Sequence, residues 1–346
     1  MIVLKIFGIL LGSTLIYLII IICTSALKER NQPLSIEHDS SIAPGCRQEV
    51  SFNVDGEKIS GWLYLPETGQ KQVPCIILHQ GFCGTKDMLL EKYALRFVDA
   101  GFAALTFDYR HFGMSQGEPR QLYSISKQLQ DGKAAIGYAR TRKEIDADKI
   151  FLWGTSSAGN YGILLAAGDS KIAGIIGQSL SFDHQADGKM ILKREGMFWF
   201  LKLIVQAQRD KGRSRLGLSP HTFPVVGKPG TVAMFVAPGA FEGYQAIAQG
   251  SSTFKNKVCA RLMFDTHGPD LLESAAKVNC PAIFHICEKD EIVAPNSYHE
   301  IEKIMGKKLS LVKNPIGHFD IYFDQWFETS IQQQIAFVKN TTSDTN

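Results

Sequence analysis

The chain has 346 residues, 45% apolar and 21% charged, the balance of an ordinary globular protein that can bury a large core without staples. A formal net charge of +3, with no basic run interleaved with aromatics, argues against a nucleic-acid partner. The seven cysteines show no C-x-x-C spacing, so no metal site is expected, and an odd count suits a mostly reduced protein.

In chain order, Ile6–Leu27 is apolar apart from a few hydroxyl residues and carries no charge. Roughly 20 such residues cross a bilayer core of about 30 Å. Residues 1–30 are therefore expected to be a single-pass transmembrane anchor or an uncleaved signal. A cleaved signal peptide ending near Thr24-Ser25-Ala26 is the competing reading, although a signal core typically has about 7–15 apolar residues. The flanking charges, Lys5 on one side and Lys28 with Arg30 on the other, leave the orientation open. Residues 31–46 are polar, with Pro33, Pro44 and Gly45, and read as a linker.

From residue 47 the pattern becomes that of a folded domain running to about 340, before a polar tail, 341–346. Two β-like runs, Glu49–Val54 and Ile59–Leu65, flank Asp55-Gly56, a dipeptide that favours a tight hairpin turn. Buried strands follow at Val73–Leu78, Phe102–Phe107, Ile150–Trp153, Ile172–Ile176, Ala282–Ile286 and Leu309–Val312. Helices alternate with them at about Asp87–Ala100, Ile125–Arg142, Ser157–Ala167, Ser297–Ile304 and Asp320–Val338. Such alternation implies parallel strands joined by crossovers. Between about 181 and 278 it lapses into an amphipathic run, Met197–Ala207, and a Pro- and Gly-rich span, Ser219–Gly239. This stretch is expected to be a cap inserted over the C-terminal edge of the sheet, where α/β proteins bind ligands.

Chemistry concentrates in Phe151-Leu152-Trp153-Gly154-Thr155-Ser156-Ser157-Ala158-Gly159-Asn160. An apolar strand ends, small residues crowd together and a helix begins, as a nucleophile elbow requires. The helix N-terminus then offers N–H groups to a developing oxyanion. Ser156 and Ser157 compete for the role. Ser156 is favoured because Gly154, two residues before it, relieves crowding that β-branched Thr155 would create. A Ser-rich helix cap is the bland alternative.

A serine nucleophile needs a base, and the base an orienting acid. In this type of fold the order along the chain is Ser, acid, His. His318 follows the last strand and a Pro-Ile-Gly turn, which puts it at the edge facing the elbow. Of the other histidines, His285 lies within an apolar strand and reads as core, and His79 ends a strand and reads as structural. His184, His221 and His267 read as surface residues of the cap. Asp290, just past Ala282–Ile286, is the expected acid; Glu291 and Asp183 are the alternatives. The second half of the oxyanion hole is expected from the loop after Val73–Leu78, with the N–H of Phe82 partnering that of Ser157.

Several strings resemble one branch of the α/β-hydrolase superfamily, a branch of uncharacterised bacterial hydrolases similar to the fungal polyketide-transferase group. They are Gly81-Phe82-Cys83-Gly84-Thr85-Lys86-Asp87-Met88, the block Asp108–Arg120, the elbow, and Pro315-Ile316-Gly317-His318-Phe319-Asp320-Ile321-Tyr322. The resemblance implies a mostly parallel eight-stranded sheet with helices on both faces and a cap. It places Ser156, Asp290 and His318 on the triad positions and Phe82 and Ser157 on the oxyanion positions. Gln80 stands where that branch usually has His, and Asn160 replaces an elbow glycine. The expected function is hydrolysis of an ester, thioester or amide through an acyl-enzyme. An acyltransferase or serine peptidase using the same triad, and a non-catalytic membrane-tethered binding protein, are the alternatives. The expected partners are a small-molecule acyl substrate and, through the N-terminal helix, the membrane; no cofactor is implied.

Overall fold

The computed structural model describes residues 2–23, 45–265 and 268–343. The expected linker therefore lies, apart from 45 and 46, outside the described residues, as do the tail from 344, the cleavage site at Thr24-Ser25-Ala26 and His267.

Eight strands form one sheet in the order β1-β2-β4-β3-β5-β6-β9-β10. They are β1 Arg47–Val54, β2 Glu57–Tyr64, β3 Val73–His79, β4 Ala103–Phe107, β5 Ile145–Thr155, β6 Ile172–Gln178, β9 Ala282–Cys287 and β10 Leu309–Asn314; β7 Thr222–Phe223 and β8 Val258–Cys259 make a separate ribbon. β1 and β2 form the expected hairpin, Val54 pairing with Glu57. Asp55 and Gly56 both take positive φ, 50° and 84°, so the turn has the twist that two-residue hairpins favour. β2 pairs antiparallel with β4, and every later pairing in the sheet is parallel.

The helices are α1 Ile2–Cys23, α2 Leu90–Asp99, α3 Ile125–Arg140, α4 Gly159–Ala166, α5 His184–Arg215, α6 Ala240–Ile247, α7 Leu271–Lys277, α8 His299–Met305 and α9 Asp324–Ser343. β5 shows how the two faces are covered. Phe151 and Trp153 point one way: Trp153 packs on Tyr93 of α2 and donates from Nε1 to Gln334 of α9, while Phe151 meets Phe337. Leu152 points the other way, under α4, where Gly162 leaves no room for a Cβ beside Ile175. A strand buried on both faces reads as a continuous apolar run rather than an alternation, which is why the central strands are legible in the sequence.

The segment between β6 and β9 adds no strand to this sheet. It carries α5, kinked at Gly196 (φ 82°), the β7–β8 ribbon, α6 and α7.

The expectation of a single-pass membrane protein is corrected. Among the described residues no helix is long and apolar enough to cross a membrane. The membrane localisation, and the membrane as a partner through this helix, are withdrawn.

Candidate active site

β5 ends at Thr155 in extended backbone, and Ser156 turns sharply into the left-handed region with φ 53°. Left-handed backbone costs a non-glycine residue energy and is held only where the surroundings fix it. Ser157 is not so strained and sits second in the helical turn Ser156–Ala158 that leads into α4. Gly154 makes the turn possible: a Cβ there would meet the Ala158 carbonyl oxygen at 2.3 Å. Gly159 is equally confined, since its Cβ would fall 2.5 Å from Leu180 Cγ.

Ser156 lines a cavity of about 20 Å³ together with Gly81, Phe82, Tyr244, His318 and Tyr322. Among the described hydrogen bonds none joins Ser156 to His318. A larger cavity, about 580 Å³, lies on the Ser157 side, walled by Tyr123, Tyr161, Leu164 and Phe182. The Ser157 hydroxyl is engaged there with Tyr123, whose own hydroxyl lies 3.0 Å from that of Tyr161. Tyr161 in turn donates to Gln128.

The loops after β9 and β10 are tied together beyond the last strand pair, Cys287 with Asn314. The Glu288 N–H donates to the Asn314 carbonyl at 2.8 Å, and the Lys289 N–H to the Ile316 carbonyl at 2.9 Å. This extension of the parallel register brings Asp290 and His318 together, Oδ2 to Nδ1, at 2.6 Å. The other carboxylate oxygen of Asp290 accepts the N–H groups of Ile292 and Val293 at 2.8 and 3.0 Å. Both residues are buried. Glu291 is exposed, and Asp183 caps α5 by accepting the N–H groups of Gln185 and Ala186. Neither alternative acid is bonded to His318.

The loop after β3 is braced from within. Gln80 donates from Nε2 to the Met88 carbonyl at 2.5 Å and accepts the Gly81 N–H at 2.9 Å on Oε1. No described hydrogen bond uses the Phe82 N–H. Lys86 and Asp108 form a fully buried ion pair at 2.6 Å that anchors this loop to the one after β4. Burial pushes the Asp108 carboxyl up despite Lys86 and two backbone N–H donors. Asp87 binds the loop to the segment before β8. Burial raises its carboxyl, but donors from Thr85, Ser251, Thr253 and the Ser252 N–H outweigh that and hold it below the usual range.

The remaining histidines divide by environment. His79 is buried against Phe107 and Tyr109, with Nδ1 3.1 Å from the Trp153 carbonyl, and burial pushes its imidazole down to about 4. His285 is wholly buried with neither ring nitrogen hydrogen-bonded among the described residues, and burial lowers it to about 4 as well. His221, expected at the surface, is instead buried, its N–H held by Asp210 and its ring by Gln206. Tyr244 and Tyr322 also line the Ser156 cavity, and sequence reasoning assigned neither to it. Both arrive from segments distant along the chain, and only the Tyr in the Phe319–Tyr322 string carried any hint.

Among known proteins, the quorum-quenching protein AidA of Acinetobacter baumannii is 35% identical over 296 residues, covering 86% of this chain and 95% of that protein. The chain belongs to the α/β-hydrolase superfamily. The X-Pro dipeptidyl-peptidase (S15) family matches this hydrolase-fold chain over residues 55–219. Polyketide transferase af380 of Aspergillus fumigatus is 26% identical over 303 residues, 85% of this chain and 98% of that one. The crystal structure of the α/β hydrolase GrgF from Penicillium sp. sh18 superposes with a TM-score of 0.71 at 22% identity, covering 86% of this chain and 99% of that one. That likeness bears on the fold. Together, the relatives of this α/β hydrolase support a hydrolase or acyl-transfer role.

Proposed function

We propose that the chain is a serine hydrolase that cleaves an ester, thioester or amide through an acyl-enzyme, with Ser156 as nucleophile, His318 as base and Asp290 as orienting acid. The observation that carries this reading is a strained Ser156, at the end of the central strand, sharing a cavity with an imidazole whose far nitrogen lies 2.6 Å from a buried carboxylate.

The steps follow from that geometry. His318 Nε2 takes the Ser156 proton as Oγ attacks the carbonyl carbon. The oxygen of the tetrahedral adduct is held by the N–H groups of Phe82 and Ser157. His318 returns the proton to the leaving alcohol, thiol or amine. It then deprotonates the water that releases the acid and regenerates Ser156. Asp290 keeps Nδ1 protonated and stabilises the imidazolium without taking its proton. Ser–His contacts of this kind tighten when substrate binds. The segment 181–278 serves as the cap, and the cavity beside Ser157 as room for the substrate.

A second reading, acyl transfer to a nucleophile other than water, draws on the match to a polyketide transferase. Turnover of a panel of p-nitrophenyl esters tests the first reading. Wild type hydrolyses short esters and Ser156→Ala does not. Added alcohols or amines divert product into new esters or amides only if transfer competes with hydrolysis. No turnover across the panel favours a non-catalytic binding protein.

A further inference from the structure

Tyr244 lies on α6, in the segment that adds nothing to the sheet, yet it reaches the Ser156 cavity. Its ring is nearly parallel to those of Phe235 and Phe254, at 6.1 and 6.3 Å between centroids, and meets Phe319 edge-on at 5.6 Å. Phe319 follows His318 directly. The adjacent Gly243 lets α6 approach this closely, because a Cβ there would fall 2.1 Å from the Phe319 ring. The hydroxyl of Tyr244, buried at the end of this stack, donates to the Phe82 carbonyl oxygen at 3.1 Å.

That carbonyl belongs to the peptide joining Phe82 to Cys83, and Cys83 is itself held in the left-handed region with φ 55°. A non-glycine residue stays in such backbone only when its neighbours over-determine it. The internal braces of this loop lie on either side of Phe82: Gln80 takes the Gly81 N–H, and the Gly84 N–H returns to the Gly81 carbonyl. The Phe82 carbonyl has Tyr244. Phe82 also packs on Phe235, so the cap holds both the backbone and the side chain of this residue.

We infer that Tyr244 is a positioning residue for the oxyanion hole. By fixing the Phe82 carbonyl it fixes the twist of the Phe82 backbone, and with it the direction of the Phe82 N–H toward the reacting oxygen. Assembly of the catalytic centre thus depends on the cap being docked. The inference rests on the serine-hydrolase reading, in which the Phe82 N–H is an oxyanion donor.

Tyr244→Phe keeps the ring stack and removes only the hydroxyl, and Tyr244→Leu removes both. Three quantities are measured in wild type and variants: kcat and KM on a short p-nitrophenyl ester, the rate constant for fluorophosphonate labelling, and Ki for a trifluoromethyl ketone, which forms a tetrahedral oxyanion adduct. Donors aimed at the oxyanion act on the transition state, so their loss appears in kcat rather than KM. Tyr244→Phe is expected to lower kcat and the labelling rate about tenfold and raise Ki by the same factor, a fraction of the about 10²–10³ lost when an oxyanion donor is deleted outright. KM and the pH midpoint of kcat/KM, which reports the base, stay at wild-type values. The urea midpoint confirms that the variant is folded. Wild-type kcat and Ki in Tyr244→Phe, with a defect only in Tyr244→Leu, would reduce Tyr244 to packing and overturn the inference. Absence of turnover and labelling in wild type would instead overturn the hydrolase reading beneath it.

Discussion

Asp290 and His318 lie 28 residues apart in sequence and 2.6 Å apart in space because β9 and β10 run parallel and their exit loops remain hydrogen-bonded beyond the sheet. Asp290 is committed twice over, one oxygen to the imidazole and the other to two backbone N–H groups. Replacing it with Asn keeps the shape but turns an obligate acceptor into a group that also donates, which favours the wrong tautomer of His318. Asp290→Asn is expected to lower kcat by about 10⁴, as loss of the acid does in triads of this type. Glu291→Gln is expected to stay near wild type. Asp183→Ala is expected to cost about 1 kcal/mol of stability through the lost cap while kcat is unchanged. Ester turnover and urea denaturation of the three variants separate these roles.

The elbow makes a steric prediction. Gly154→Ala would press a Cβ into the Ala158 carbonyl at 2.3 Å, and that neighbour is backbone, so it cannot rotate away. Overpacking that forces backbone shifts costs about 1–3 kcal/mol. The variant is expected to unfold at lower urea and to lose most of its turnover, because the displaced segment carries Ser156 and the Ser157 N–H. Wild-type activity in Gly154→Ala would mean that this strand–helix junction is not rigid.

Acid sensitivity follows from buried imidazoles; burial lowers His221 to about 4 as well, and His79 and His285 are the more deeply buried. His79 and His285 are held at about 4, below the usual value near 6.5. Above about pH 6.5 both are neutral in the folded and unfolded chain, and their burial costs nothing extra. Between about 6.5 and 4 the unfolded chain takes up protons that the folded one refuses, so stability falls as pH drops, by up to about 1.4 kcal/mol per pH unit for each histidine. Urea midpoints at pH 7.5, 5.5 and 4.5 measure this slope. His285→Phe is expected to flatten it and to leave the pH 7.5 midpoint equal or higher, since neither ring nitrogen of His285 has a hydrogen-bond partner to lose among the described residues. An unchanged slope would show that other groups control the acid limb.

The Lys86–Asp108 pair is a stability prediction with a catalytic consequence. Removing one member of a buried pair leaves the other uncompensated, at about 3–5 kcal/mol. Lys86→Met is expected to fall in that range, and adding Asp108→Asn is expected to recover part of the loss. Chemical denaturation gives both numbers. Because Lys86 sits in the loop that carries Phe82, turnover is expected to drop with stability.

How much of this was legible depended on whether the signal was local. The hairpin at Asp55-Gly56, the strand–helix junction around Gly154 and the Gly-His loop at His318 each declare themselves within about ten residues, because turn chemistry and strand burial act over that range. Contacts made across the fold do not. The Tyr244 hydroxyl on the Phe82 carbonyl joins residues 162 apart, and nothing in either local string requires the other. His221 read as surface because it falls in the expected cap, but it is buried against Asp210 and Gln206 of α5. Gln80 read as a departure from a familiar motif, and its role emerges only from the two bonds its amide makes within the loop. The N-terminal run misled through composition: apolar residues suggest a span, but among the described residues no helix is long and apolar enough to cross a membrane.

The most direct measurement is intact-protein mass after reaction with a fluorophosphonate, followed by mapping of the labelled peptide. One adduct per chain, located on Ser156, absent from Ser156→Ala and slowed in His318→Ala, is the predicted result. An adduct on Ser157, or labelling that persists undiminished without the Ser156 hydroxyl, would contradict it.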